Sequence, residues 1–194
     1  MKPSARITNP EQAIAATRAW LRDVVVALNL CPFAAAPLRR NAIRYRVSMA
    51  KDTEALLQDL LEELIRLDRA DPAVVATTLL IVPYMLEDFA DYNDFLDLAD
   101  AALRVSNLEG VLQIASFHPG YCFADSTLGD LANHTNRSPY PLLHLLREDE
   151  VERAVALYPD TERIPQDNIR RLEELGIEKI TALLASCRAA AVDK

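Results

Sequence analysis

Val74 to Tyr84 is a continuous apolar run rich in branched residues, set between two amphipathic stretches. A run this short that does not alternate with polar residues suits a strand buried on both faces. Such a strand needs a covering layer on each side. With 194 residues, 51% of them hydrophobic, the chain has the material for those layers within one domain.

The flanking sequence supplies them. Asn9-Pro10-Glu11-Gln12 is a helix start, with Asn9 as cap and Pro10 in the first turn, and the helix runs to about Leu30. Pro32 disfavours helical geometry at Cys31, so Asn29 to Phe33 is an exit loop, followed by an Ala-rich, Pro37-containing connection. Ile43, Tyr45, Val47 and Met49 alternate with Arg44, Arg46 and Ser48, which gives an edge strand with one wet face. Asp52 caps a helix to about Leu67, and Asp88 starts another through Leu103 that Gly110 breaks. Val111 to Phe117 is a third strand, and it delivers His118. After residue 148 the pattern is helical: about Asp149 to Leu157, Pro165 to Gly176, and Ile177 to Ala190. Alternating strands and helices predict crossovers between parallel strands. The expected fold is a three-layer α/β domain with a small, mostly parallel sheet of three or four strands and a C-terminal helical hairpin. Its parts are an alternating core over 1–117, a functional loop region over 118–148 and C-terminal helices over 149–194.

Charge narrows the partners. A formal net charge of −8 without a cluster of Lys and Arg argues against nucleic acid and anionic lipid. No apolar stretch suits a membrane span, and the segment after Met1 lacks the apolar core of a signal peptide. Cys31, Cys122 and Cys187 are odd in number and scattered, which fits a reducing cytoplasm. No Gly-rich phosphate loop or dinucleotide fingerprint is present, so no cofactor is expected.

His118 to Glu148 holds all three histidines of the chain and Arg137 amid Asn133, Asn136 and Ser138. Long connections dense in functional side chains tend to carry function. His118 leaves the carboxyl end of a strand, where open α/β sheets bind ligands, and reads as a general acid/base. The competing reading is a histidine that bonds a carbonyl and holds the Pro119-Gly120 turn. Arg137 suits a carboxylate or phosphate, and the amides of Asn133 and Asn136, with Ser138, suit its orientation. A loop that satisfies its own backbone through those side chains is the alternative. Arg147 and Glu148 read as an ion pair bracing the loop, and His144 as a second acid/base group or a hydrogen-bonded core residue.

Cys31 is the candidate nucleophile, with His118 as its base. A thiol beyond a helix C-terminus faces the negative end of the dipole, which opposes thiolate formation; a small buried apolar residue is the bland alternative. Cys187 reads as structural. A metal site can be assembled from His118, Cys122, His134 and His144, or from His118, His144 and Cys31, but neither set has the paired spacings of known ligand motifs.

With these residues in view, the chain resembles an uncharacterised bacterial family, domain of unknown function 1415. The resemblance rests on Asn29-Leu30-Cys31-Pro32-Phe33-Ala34, on Phe117-His118-Pro119 with Phe123, and on Thr135 to Pro141 leading into His144-Leu145-Leu146-Arg147-Glu148. It implies that Cys31, His118, Asn136, Arg137 and His144 belong to one pattern that excludes Cys122 and His134. It implies no activity. The sequence therefore leads to an enzyme acting on a small anionic metabolite by hydrolysis or group transfer. Catalytic residues would be His118, Cys31 and His144; Arg137, Asn133, Asn136 and Ser138 would bind, with His118 and Arg137 converging on one pocket. The alternatives are a binding module without chemistry and a metal-binding protein.

Overall fold

The computed structural model describes residues 9–158 and 160–189. The expectations for the first eight residues and for Ala190 fall outside that range. Asn9 caps α1 (Pro10–Trp20) by accepting from the Glu11 N–H, and the helix continues as a π-helix over Leu21–Val26. Asn29, at φ 50°, takes the left-handed turn that asparagine tolerates, and the chain exits through Cys31. The Pro37 segment, expected as a plain connection, forms the short helix α2 (Ala35–Arg39).

The sheet follows. β1 (Ile43–Val47) leads through α3 (Thr53–Arg69) to β2 (Thr77–Ile81), and α4 (Phe89–Val105) leads to β3 (Leu112–Phe117). Asp52 and Asp88 cap α3 and α4 as expected. Leu142–Arg147, expected as loop, is instead a strand, β4. The order is β1-β2-β4-β3. β1 and β2 pair in parallel, whereas β4 runs antiparallel to both β2 and β3. Three strands thus point one way, and a reversed strand is inserted beside the central one. β2 is buried at every position and internal, and β1 is at an edge, as the two sequence patterns require. β2 is shorter than its apolar run, since Val74 is 67% exposed.

Side-chain parity divides the core. Leu80, Val82, Leu143 and Leu145 pack under α3 and α4 against Leu60, Leu64, Tyr92 and Phe95. Leu79, Ile81 and Leu142 face the other way, against Trp20 and Val24 of the first helix and against Leu172, Ile180 and Cys187. Each leucine fully buried in this way contributes about 2 kcal/mol. After β4 come α5 (Glu148–Leu157), α6 (Ile164–Leu175) and α7 (Ile177–Ala189), with Gly176 at φ 83° between the last two. No helix among the described residues is long and apolar enough to cross a membrane.

Candidate functional site

Thr77 opens β2, and its hydroxyl lies 2.5 Å from the Leu145 carbonyl oxygen and 2.8 Å from His144 Nε2. A carbonyl has no proton to give, so the hydroxyl must donate to Leu145. Its oxygen is then free to accept, and His144 Nε2 carries the imidazole proton. Among the described residues the only hydrogen bond of this ring is the one at Nε2, which leaves Nδ1 as a bare lone pair. Burial pushes the pKa of this ring down to about 4, so it is neutral at pH 7.

His144 lines a cavity of about 200 Å³ on the α1 face of the sheet. The floor is Ile43, Thr77, Leu79, His144 and Leu146, drawn from three strands. Trp20, Leu21 and Val25 of the first helix form one wall; Leu21 and Val25 lie in its π-helical turn, a distortion that recurs at functional sites. Phe117 packs edge-on to Trp20 at 5.3 Å and tilts over His144 at 6.2 Å between ring centroids. The loop from Cys31 to Pro37 and one side of α5 (Glu150, Val151, Ala154) complete the lining. The cavity lies on the sheet face and reaches the first residues of β1 and β2, so it is not beyond the carboxyl ends.

Cys31 therefore shares a cavity with His144. Its thiol pKa is raised by burial, against which the N–H groups of Phe33 and Ala34 act. Burial, not the helix dipole invoked from the sequence, is the main cause. Cys31 also lines a second cavity of about 350 Å³, together with Asn136, Thr135 and Asn168.

His118 is elsewhere. One residue after Phe117, parity turns it to the opposite face, between Phe89 and Tyr92 of α4 at ring distances of 5.3 and 5.0 Å. Its Nδ1 accepts from the Gly120 N–H at 2.9 Å, so Nε2 donates to the Leu86 carbonyl at 3.0 Å. Both nitrogens are occupied, the ring is 1% exposed, and burial lowers its pKa. The geometry matches a histidine that holds its own turn and pins Leu86, which sits at φ 58°.

The donor-rich loop is turned inward as well. Arg137 donates through Nε to Tyr121 O, through Nη2 to Leu128 O and through Nη1 to His134 Nε2. Asn133 accepts from Phe123 N and Ser126 Oγ and donates to Thr127 O, and Ser138 donates to Tyr140 O. Neither His118 nor Arg137 lines either cavity, so their expected convergence on one pocket is corrected. Asn136 alone of the four expected binding residues does, on the second cavity. The Arg147–Glu148 brace is also corrected, because Arg147 donates instead to the carbonyls of Leu67 and Ala70 at the end of α3. Neither metal set assembles: among the described residues no three His, Cys, Asp or Glu side chains gather as a metal site would require.

Thr77 is the residue that sequence reasoning passes over. Its signal was the Thr77-Thr78 pair, two hydroxyls inside an otherwise aliphatic stretch.

A family model described as a protein of unknown function, DUF1415, matches residues 12–182. The chain belongs to that family. Neither the curated proteins nor the solved structures include a match to it.

Proposed function

We propose that this member of DUF1415 is an enzyme for hydrolysis or group transfer on a small, largely apolar molecule, with Cys31 as nucleophile and His144 as its base. One observation carries the proposal: a neutral imidazole, its tautomer set by Thr77, leaves Nδ1 unpartnered in a cavity that Cys31 also lines. A base oriented by a third group and within reach of a nucleophile is the arrangement that nucleophilic catalysis needs; here the two line one cavity without a hydrogen bond between them, and a bound ligand has to bring them together. Burial raises the thiol and lowers the imidazole, so a resting thiolate–imidazolium pair is disfavoured. His144 instead takes the proton as the sulfur attacks. The aromatic and aliphatic lining favours an uncharged ligand over the anion suggested by sequence, and Arg137 supports the 121–128 loop. Three unpaired cysteines support a reducing compartment such as the cytoplasm. The raised thiol pKa favours a second reading, a binding cavity without chemistry.

Iodoacetamide tests the nucleophile. Near neutral pH, Cys31 should be alkylated faster than buried Cys187, and His144→Gln should slow Cys31 by roughly tenfold or more. Half-buried Cys122 serves as the internal reference. If His144→Gln leaves the Cys31 rate unchanged, the nucleophile is lost and the binding cavity is what remains.

A further inference from the structure

The two cavities share Val25, Cys31 and Phe117, so Cys31 stands where they adjoin. Their chemistry differs. The first is apolar, with a lone pair at His144 Nδ1. A cavity of about 150 Å³ with such a lining admits benzene, so one of about 200 Å³ has room for an aromatic ring or a short branched chain. The second presents two amide side chains. Asn136 Nδ2 donates one N–H to Ser116 O, and Asn168 Nδ2 donates one to Leu30 O. Each NH₂ group keeps its other N–H without a partner among the described residues. Asn168 is 6% exposed and lines the second cavity, so its spare donor meets little water outside that cavity. A ligand spanning both cavities would place an apolar group beside His144, a reactive centre at Cys31 and a hydrogen-bond acceptor beside the two amides.

We infer that the substrate is an ester or thioester of a compact apolar acid, its acyl group in the first cavity and an acceptor-bearing leaving group in the second. The inference rests on the Cys31–His144 reading and adds the substrate class. As the bond from Sγ to the acyl carbon forms, the thiol proton passes to His144 Nδ1. The bond to the leaving group then breaks, and that group departs with the same proton. Water attacks the resulting thioester and gives a proton to His144. The acid is released as the sulfur takes that proton back.

The probes are the benzoyl and acetyl thioesters of N-acetylcysteamine, whose leaving arm carries an amide carbonyl, and the phenyl thioester of benzoic acid, whose leaving arm carries none. Acylation is read by peptide mass spectrometry and turnover as free acid. Wild-type protein should be acylated at Cys31 ahead of Cys122 and Cys187, and should favour the N-acetylcysteamine thioester over the phenyl thioester. Ala154→Phe, on a helix with no buried residue, fills the first cavity and should lower the benzoyl-to-acetyl ratio by about tenfold. Ile169→Trp fills the second and should abolish the preference for the amide-bearing leaving group. Acylation spread evenly over the three cysteines, or ratios that neither filling changes, would overturn the inference. If Cys31 alkylation depends on His144 but no thioester is accepted, the substrate class is wrong and the nucleophile stands. If that alkylation is also independent of His144, both are wrong.

Discussion

His118 and His144 show how one ring serves as a strut while another keeps a nitrogen free for the base role proposed for it. What separates them is the second nitrogen. In His118 the Gly120 N–H fills it, so adding a proton would break a bond that holds a turn; in His144 it is empty. His118→Ala leaves the Leu86 carbonyl and the Gly120 N–H without their partner and should cost about 2–4 kcal/mol in urea unfolding. It should not alter the Cys31 alkylation rate, because the two side chains lie on opposite faces of the sheet. A large effect on that rate with intact stability would restore His118 as the base. Both histidines and Cys31 could be picked from the sequence by residue type and position. Their grouping could not, because it depends on which face each strand residue presents, and the strand carrying His144 has no local signature.

That strand, Leu142–Arg147, is silent in the sequence for physical reasons. LLHLLR has no β-branched residue and no alternation, follows two prolines, and runs directly into a helix, so nothing local separates it from a loop entering that helix. Tertiary pairing on both sides makes it a strand. β1, β2 and β3 each carried a local signature, alternation or branched residues, and were legible. α2 was not, since Pro37 sits inside its five residues. β4 also anchors its neighbour: Arg147 reaches the carbonyls that end α3, where a cation opposes the negative end of the helix. Arg147→Met keeps much of the volume and removes those donors. It should lower stability by about 2–3 kcal/mol and speed amide exchange in the last turn of α3 more than in α4. Equal exchange in both helices would mean that Arg147 does not hold that end.

Over the whole molecule the three histidines act together on pH stability. Burial lowers the pKa of His118, His134 and His144, the last to about 4. Each ring therefore takes up a proton in the unfolded chain, near its ordinary value of about 6.5, before it does so in the native state. Between those values the unfolded state binds more protons, so stability rises with pH and is lost as pH falls. The window runs from about 6.5 down to about 4, and His144 alone accounts for a loss on the order of 3 kcal/mol across it. Asp23 and Asp130 have pKa values lowered from 3.8, so the stability they contribute is lost only below that window. Urea unfolding between about pH 7 and about pH 4.5 should show stability falling with pH, with a visibly flatter slope for His144→Gln. Identical slopes would mean that the ring is protonated in the native protein near its ordinary pKa. The bare Nδ1 on which the catalytic proposal depends would then be protonated below about pH 6.5, and base catalysis would fade there instead of persisting toward about pH 4.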